Sequence, residues 1–265
     1  KHLVVISILF SFSLMAYESN LPKCPKKYSG NWDACQGTYV ASDKSKYIGE
    51  FFNAMMNGYG KKVLVNGNVY EGYFKNWEFD GEGTYTYASG AVYKGEFLRG
   101  FHHGKGKMIY DDKSFYEGDW VTSKRHGHGK LVYASGSVYE GESKFDKKDG
   151  IGKYVWADGS VYEGSFVNDR MSGYGKMIQN DYTYEGEFEL DKLWGYGTYT
   201  SEDGSFYKGQ FLAGYLHGQG TCYIPGQKVQ PCEFKDGKNT TKGNSPGAKI
   251  LGNLIKRAII GEILK

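Results

Sequence analysis

The chain has 265 residues, and two residue types stand out: 39 are Gly and 24 are Tyr. Only 5 residues are Pro, and 17% of the chain is aromatic, so the composition excludes a collagen-like chain and a simple disordered chain. The formal net charge of +3 is too small to indicate a nucleic-acid-binding protein. The charge is also uneven, because the segment from Lys235 onward carries +5 and leaves the rest of the chain at −2.

The N-terminal segment has the pattern of a secretory signal peptide. An apolar run of 14 residues, Leu3 to Ala16, follows a basic start, and it is too short to cross a bilayer comfortably. We therefore expect residues 1–16 to be removed and the mature protein, beginning near Tyr17, to be exported to the periplasm or secreted. A buried N-terminal strand and an uncleaved membrane anchor are the alternatives.

A 23-residue period occupies most of the chain. The motif Tyr-x-Gly-x-aromatic recurs eight times at spacings of 23 residues, except for one spacing of 22. Each copy is followed by a Gly-x-Gly pair, and in one copy Ser143 stands where the second aromatic residue is expected. The repeat-defining tyrosines are Tyr47, Tyr70, Tyr93, Tyr116, Tyr139, Tyr162, Tyr184 and Tyr207. Such a period indicates a repeat architecture.

These units resemble the membrane occupation and recognition nexus (MORN) repeat, whose units look like YEGEF, a loop, GxGxY and a turn such as ADGSV. The segment YEGDWVTSKRHGHGKLVYASGSV, from Tyr116 to Val138, is similar to that unit. The resemblance predicts a solenoid over residues 47–234, with eight full repeats plus a half unit, and an N-terminal cap with a degenerate repeat over residues 17–46. MORN-like repeats occur in scaffolds, enzyme accessory domains and membrane-associated proteins, so the resemblance implies a fold rather than one function.

The residue pattern inside each unit predicts two antiparallel strands. The first, third and fifth side chains of the motif share one face of a strand, and Gly83 to Tyr87 alternates in the same way. Dipeptides such as Ser89-Gly90 and Asp158-Gly159 indicate primed hairpin turns, with a loop of eight residues between the two strands of a unit. Stacking of these units predicts an all-β fold, an elongated single-layer antiparallel sheet. A C-terminal amphipathic α-helix is expected to follow it.

The outward positions of the motif carry opposite charges. Acidic residues occupy ten of the sixteen second and fourth positions, and Lys follows the second Gly of Gly-x-Gly in five units. The expected cross-strand pairs are Glu96 with Lys107, Asp119 with Lys130 and Glu142 with Lys153. Exposed pairs contribute only about 0 to 1 kcal/mol each, so we expect them to set register and solubility more than stability.

The four cysteines lie only near the two ends of the repeat array. They permit three disulfide pairings, among which the sequence alone does not choose. In an exported protein we expect Cys24 to pair with Cys35 and Cys222 with Cys232, each closing a hairpin at an open end of the sheet. A zinc site is the weaker alternative, because no CxxC spacing is present.

The composition changes after Phe234. Residues 235–247 are rich in Gly, Asn, Thr and Ser, which predicts a linker, and residues 248–265 predict a basic amphipathic helix. This helix either caps the solenoid or a sheet face, or lies on an anionic membrane or a partner protein. The residues expected to make membrane or partner contacts are Lys249, Ile250, Leu254, Ile255, Lys256, Arg257 and Ile259.

The sequence contains no recognisable catalytic or cofactor motif. It has no Gly-x-Ser-x-Gly elbow, P-loop or HExxH motif, and its Gly-x-Gly pairs lie between strands rather than before a helix. His103 and His126 are one repeat apart, about 10 Å between backbones, which is too far for an easily shared metal ion. We therefore expect no enzyme activity, no metal, no cofactor and no nucleic-acid partner.

The leading hypothesis is an exported, non-catalytic scaffold whose long sheet binds a protein partner. End-to-end and face-to-face homodimers are both compatible with the pattern. One alternative is membrane or phospholipid association through the basic C-terminal helix. A second alternative is glycan or cell-wall binding through Trp77, Trp156 and Trp194.

Overall fold

A computed structural model describes residues 19–28 and 30–241. In this part of the chain, the strands form one sheet in which every strand pairs antiparallel with the next one along the chain. The predicted single antiparallel sheet is therefore confirmed. No helix occurs among the described residues. The predicted signal peptide at 1–16 and the predicted helix at 248–265 lie outside them.

The sheet contains 19 strands, numbered in chain order. They are β1 Cys35–Val40, β2 Lys46–Phe52, β3 Met55–Val63, β4 Val69–Lys75, β5 Glu78–Thr86, β6 Val92–Leu98, β7 Phe101–Ile109, β8 Phe115–Val121, β9 Lys124–Val132, β10 Val138–Lys144, β11 Lys147–Val155, β12 Val161–Val167, β13 Arg170–Ile178, β14 Tyr182–Glu189, β15 Lys192–Ser201, β16 Phe206–Leu212, β17 Tyr215–Tyr223, β18 Gln230–Lys235 and β19 Lys238–Asn239.

The two strands of one repeat are joined by a two-residue turn, so the predicted eight-residue loop is wrong. Between β8 and β9 the turn is Thr122-Ser123, and both residues have positive φ, 47° and 60°. Positive φ at both central positions defines a type I′ turn, whose twist matches that of the flanking strands. The residues that were assigned to a loop therefore continue the ladder.

The turns between repeats are of a different type from the predicted primed turns. In the turn of Ser89-Gly90 only the glycine has positive φ, 98°. The amide of Gly90 donates to the carbonyl of Tyr87 at 2.9 Å, and the amide of Tyr87 donates to Ala91. This is a three-residue hairpin loop, a type I turn closed by a glycine in the left-handed region. Glycine is favoured there because an L side chain rarely adopts that conformation, although Lys113 adopts it at the same position of the next repeat, with a φ of 70°.

The repeat-defining tyrosines are the core of each unit. All eight are at most 1% exposed, and each hydroxyl donates to the main-chain carbonyl three residues further on, at 2.6 to 3.2 Å. Tyr116 shows why Gly-x-Gly is needed: a Cβ on Gly129 would lie 2.5 Å from its ring. The ring of Trp120 packs edge-on against Tyr116 and against Tyr93 of the preceding repeat, with centroids 5.1 and 5.3 Å apart.

Both ends of the sheet are covered and cross-linked. At the start, residues 22–24 hydrogen-bond to the free edge of β1, and the ring of Trp32 packs edge-on against Phe51 with centroids 4.8 Å apart. At the other end, β19 adds two residues to the sheet inside the segment predicted as a linker. The expected disulfides are both formed, Cys24–Cys35 with Cα atoms 5.0 Å apart and Cys222–Cys232 with Cα atoms 5.9 Å apart.

Candidate functional site: the open aromatic face

The sheet has two different faces. One carries the buried tyrosines and the rings packed on them, and the other carries the charged side chains. Among the described residues no second layer of secondary structure covers the aromatic face, because all strands belong to one sheet. Of the residues before β1, the described ones Tyr28 and Trp32 pack on this face at the first repeat, where both contact Phe51.

The charged face carries a ladder of ion pairs, but the partners differ from those predicted. Lys107 pairs with Glu117 at 2.9 Å rather than with Glu96, and Lys153 pairs with Glu163 at 3.6 Å rather than with Glu142. Lys130 lies opposite Glu117 and Glu140 in the ladder, not opposite Asp119. These pairs are exposed, so they contribute little stability.

The predicted partners are wrong because a β-bulge lies opposite the fourth position of the motif. The ladder shifts register between Gly118 and Asp119, so Asp119 faces the bulge. Its Oδ2 accepts the amide of His128 at 3.0 Å, while its Oδ1 lies 2.6 Å from Lys105. Fourth-position carboxylates in four other repeats accept the corresponding amide. They therefore hold the bulge in place.

The aromatic face carries an additional row of rings in the middle of the molecule. Tyr87, Tyr110, Tyr133 and Trp156, here called the central aromatic row, occupy the same position in four consecutive repeats. Each lies just before a turn between repeats, is partly buried and packs against the core. The same position holds Leu64 before the row, and Gln179 and then Ser201 after it. The repeat fold therefore does not require these rings.

Three cationic or polar side chains lie on the same face in these repeats. They are His102, Arg125 and Lys148, and they occupy the position that packs against the repeat tyrosine. His102 stacks on Tyr93 with centroids 3.7 Å apart, and burial lowers its pKa to about 4. The remaining repeats have apolar side chains at this position: Met56, Phe79, Met171, Leu193 and Leu216.

Of the three, Lys148 is the cation whose charged group lies near several aromatic rings. Its Nζ lies 5.0 Å from the ring centroid of Tyr154 and 5.9 Å from those of Tyr139 and Phe166. Burial lowers its pKa, and the charge of Asp169 opposes that shift in part. No described carboxylate lies within 4 Å of the ammonium group. A cation among aromatic rings without an ion-pair partner favours an anionic ligand group.

Arg125 lies beside Tyr116, where the stack of aromatic rings on the repeat tyrosines lacks one ring. In this repeat Ser143 replaces the aromatic residue that would pack on Tyr116, and the guanidinium carbon of Arg125 lies 5.8 Å from the Tyr116 centroid. Arg125 also pairs with Asp146, with Nε and Oδ1 3.2 Å apart. The interruption makes the central part of the face more polar than its two ends.

The residues singled out from the sequence do not meet in one site. The four cysteines and the eight tyrosines have the structural roles described above, and the seven residues from Lys249 to Ile259 lie outside the described part. Trp77 lies in a two-residue turn, Trp156 precedes a turn at the opposite end of the strands, and Trp194 is a paired residue beside a bulge. The three tryptophans therefore occupy different positions of the repeat.

The described residues contain no group of three or more His, Cys, Asp or Glu side chains that could hold a metal ion. Within residues 19–28 and 30–241 there is also no helix long and apolar enough to cross a membrane.

The MORN repeat matches eight consecutive segments that together cover residues 47–227. The matched segments are 47–69, 70–92, 93–115, 116–138, 139–161, 162–183, 184–206 and 207–227. The chain therefore belongs to the MORN repeat family. No curated protein matches the sequence.

Among the solved structures that match is the TCP10 domain of Danio rerio CPAP, in complex with a peptide of STIL. It is 12% identical to this chain, with a TM-score of 0.42, and the match covers 78% of this chain and 97% of that one. The CPAP G-box domain is 10% identical, with a TM-score of 0.41, covering 76% and 99%. The SAS-4 TCP domain of Drosophila melanogaster, in complex with a proline-rich motif of Ana2, is 14% identical, with a TM-score of 0.29, covering 81% and 99%. At this level of similarity we draw no functional argument from them.

Proposed function

We propose that this MORN repeat protein is an exported, non-catalytic scaffold that binds a protein partner on the open aromatic face. The observation that carries this proposal is the central aromatic row, four partly buried rings that the repeat fold does not require. Tyr and Trp are enriched at protein interfaces because one end of each side chain is apolar and the other is polar. Arg125 and Lys148 add charge beside the row.

Export is supported by the two disulfides and by the predicted signal peptide at residues 1–16. Disulfides form and persist in oxidising compartments such as the periplasm and the extracellular space. N-terminal sequencing of the mature protein is expected to begin near Tyr17.

Site-specific photo-cross-linking in the native host tests the proposal. A photo-reactive phenylalanine replaces Tyr133 in the row or, as the matched control, Tyr174, which is 61% exposed on the charged face. We expect a defined cross-linked polypeptide from position 133 only, and we expect Tyr110→Gln to abolish it, since Gln179 shows that Gln is accepted at this position. Equal cross-linking from both positions, or none from position 133 of a folded protein, would contradict the proposal.

The other candidate functions have less support. Membrane association depends on residues 248–265, which lie outside the described part, so it stays a prediction. Glycan binding by three tryptophans loses its geometric basis, because Trp77, Trp156 and Trp194 lie at different positions of the repeat. If the central row instead bound a glycan, the cross-linking test would give no cross-linked polypeptide from position 133.

A further inference from the structure

The spacing of the central aromatic row selects among peptide conformations. The rings recur once per repeat, and each repeat contributes two strands, so neighbouring rings are about 10 Å apart across the sheet. A bound chain that crosses the strands must therefore present the same kind of side chain at roughly this interval. The row has four members and three intervals, from Tyr87 to Trp156.

A polyproline II helix has the matching period. It makes one turn in 3 residues at about 3.1 Å per residue, so equivalent side chains recur about every 9.3 Å. Over three intervals its mismatch with a sheet step of about 9.6 Å is only about 1 Å. Equivalent faces of an α-helix recur every seven residues, about 10.5 Å, and the mismatch grows to about 3 Å. A β-strand returns to the same face every second residue, about 6.7 Å, and does not match.

The chemistry of the row also suits proline. Proline-rich segments dock on aromatic-lined surfaces because their rings are apolar and their extended conformation is already formed, which reduces the entropy lost on binding. The tyrosine hydroxyls and the indole of Trp156 supply polar ends beside the rings. A segment of about ten residues spans the whole row.

The charge beside the row indicates which side chains accompany the prolines. Lys148 has no carboxylate within 4 Å among the described residues, and its ammonium group lies over Tyr154, next to the row member Trp156. The rings of Tyr154 and Trp156 are 4.6 Å apart between centroids. An acidic side chain of the bound segment would therefore meet a cation at the Trp156 end of the row.

We propose that the central aromatic row binds a proline-rich segment of the partner in polyproline II conformation, with an acidic side chain placed against Lys148. This inference rests on the proposed function and names the partner's chemistry. The bound segment crosses the strands and contacts one ring in each of four repeats.

Selection from a random twelve-residue peptide library on the full chain tests the partner class. Counter-selection uses the double variant Tyr133→Gln, Trp156→Gln, which places at both positions the residue found at Gln179. We expect the enriched peptides to contain prolines at three-residue spacing with Asp or Glu near one end. Enrichment of helical or basic peptides would overturn the proposal, and so would enrichment of nothing or equal enrichment on the variant.

Affinity measurements with a synthetic acidic proline peptide, Pro-Pro-Glu repeated four times, test the role of Lys148. We expect Lys148→Met to weaken binding of this peptide by about tenfold, the loss expected for one hydrogen bond to a charged group, and to leave binding of a Pro-Pro-Ala peptide unchanged. Met56 and Met171 occupy the equivalent position, so this variant is expected to fold, as circular dichroism would show. Tyr174→Ser on the other face is the control and should change neither affinity. Equal losses for both peptides, or no loss for either, would overturn the role of Lys148.

The two levels of the proposal fail separately. A partner that cross-links to position 133 but contains no proline-rich segment leaves the scaffold function intact and removes the polyproline inference. Absence of any cross-link from position 133 of the folded protein removes both.

Discussion

At the scale of single residues, one tyrosine hydroxyl per repeat joins the core to the backbone. The hydroxyl of Tyr116 donates to the carbonyl of Asp119 at 3.1 Å, and seven other tyrosines repeat this bond. A buried carbonyl without a partner costs about 1 to 3 kcal/mol, so the hydroxyls are needed where the rings are fully covered. The tyrosines of the motif are therefore structural and unavailable as a binding surface.

The buried tyrosines predict a steep loss of stability at alkaline pH. Burial raises the pKa of all eight from the ordinary value of 10.0, to about 12 for Tyr116 and Tyr207. The unfolded chain loses these protons at lower pH than the folded chain, so stability is fully present below about pH 10 and decreases as pH rises towards 12. Urea unfolding followed by circular dichroism should show this decrease. Tyrosinate absorbance of the buried class should appear together with unfolding; ionisation of these rings in a folded sheet would contradict the argument.

His102 predicts a second pH effect, at the acidic side. Burial lowers its pKa to about 4, whereas in the unfolded chain the pKa is near 6.5. The groups that face it are the rings of Tyr93, Phe97 and Trp120 and the Tyr87 hydroxyl, 3.4 Å from Nε2, and none is a carboxylate or a cation. The unfolded chain takes up the proton first, so this contribution to stability is present above pH 6.5 and is lost as pH falls towards 4.

The variant His102→Met isolates that effect. Met56 and Met171 occupy the same position in other repeats, so the change is compatible with the core. We expect the difference in free energy of unfolding between wild type and variant to shift in favour of the variant as pH decreases from about 6.5 to about 4. A difference that stays constant over this range would show that His102 does not titrate in the core.

At the scale of elements, the strands were predictable and the turns were not. The period of two in Tyr-x-Gly-x-aromatic marks strands because a buried face needs alternating side chains. The type I′ turns were missed because residues such as Phe145 and Leu190 have positive φ there, 49° in both cases, and neither residue type favours that conformation. Stacking of neighbouring repeats overrides the local preference. The central aromatic row was missed for a related reason: its rings follow the alternation of the sheet, and only comparison of all eight repeats shows that they are confined to four.

Turn strain predicts a stabilising substitution. Thr122 has a φ of 47°, an unfavourable conformation for a β-branched side chain, whereas Asn53, Asn76 and Asn168 occupy the same turn position in other repeats. Asn tolerates positive φ better than Thr. We expect Thr122→Asn to raise the free energy of unfolding by about 0.5 to 1 kcal/mol. The reverse change, Asn53→Thr, should lower it. If both substitutions raise the free energy of unfolding, or both lower it, turn strain does not control stability here.

At the scale of the whole molecule, the hydrogen bonds of the sheet join each strand to the next along the chain. Stability in such an array is approximately a sum of repeat and interface contributions, and the terminal units have one neighbour instead of two. Exposed sheet edges also invite pairing with other chains. Both ends are accordingly covered: backbone bonds from Cys24 and Pro22 protect β1, and β19 protects β18.

Removal of the C-terminal disulfide should destabilise the strands next to it rather than the whole sheet. Cys222 and Cys232 are 10 residues apart in sequence. For a loop of this length, chain entropy predicts that replacing both by Ser lowers the free energy of unfolding by about 2 to 3 kcal/mol. Because the hydrogen bonds of the sheet join adjacent strands, the loss should concentrate in β17, β18 and β19, whose amides should exchange hydrogen faster, while the amides of β8 to β13 keep their protection. The matched variant Cys24→Ser, Cys35→Ser should produce the same pattern at the other end, around β1. A uniform loss of protection along the sheet would instead mean that the 19 strands unfold as one cooperative unit, and the ends would then control the stability of the central aromatic row as well.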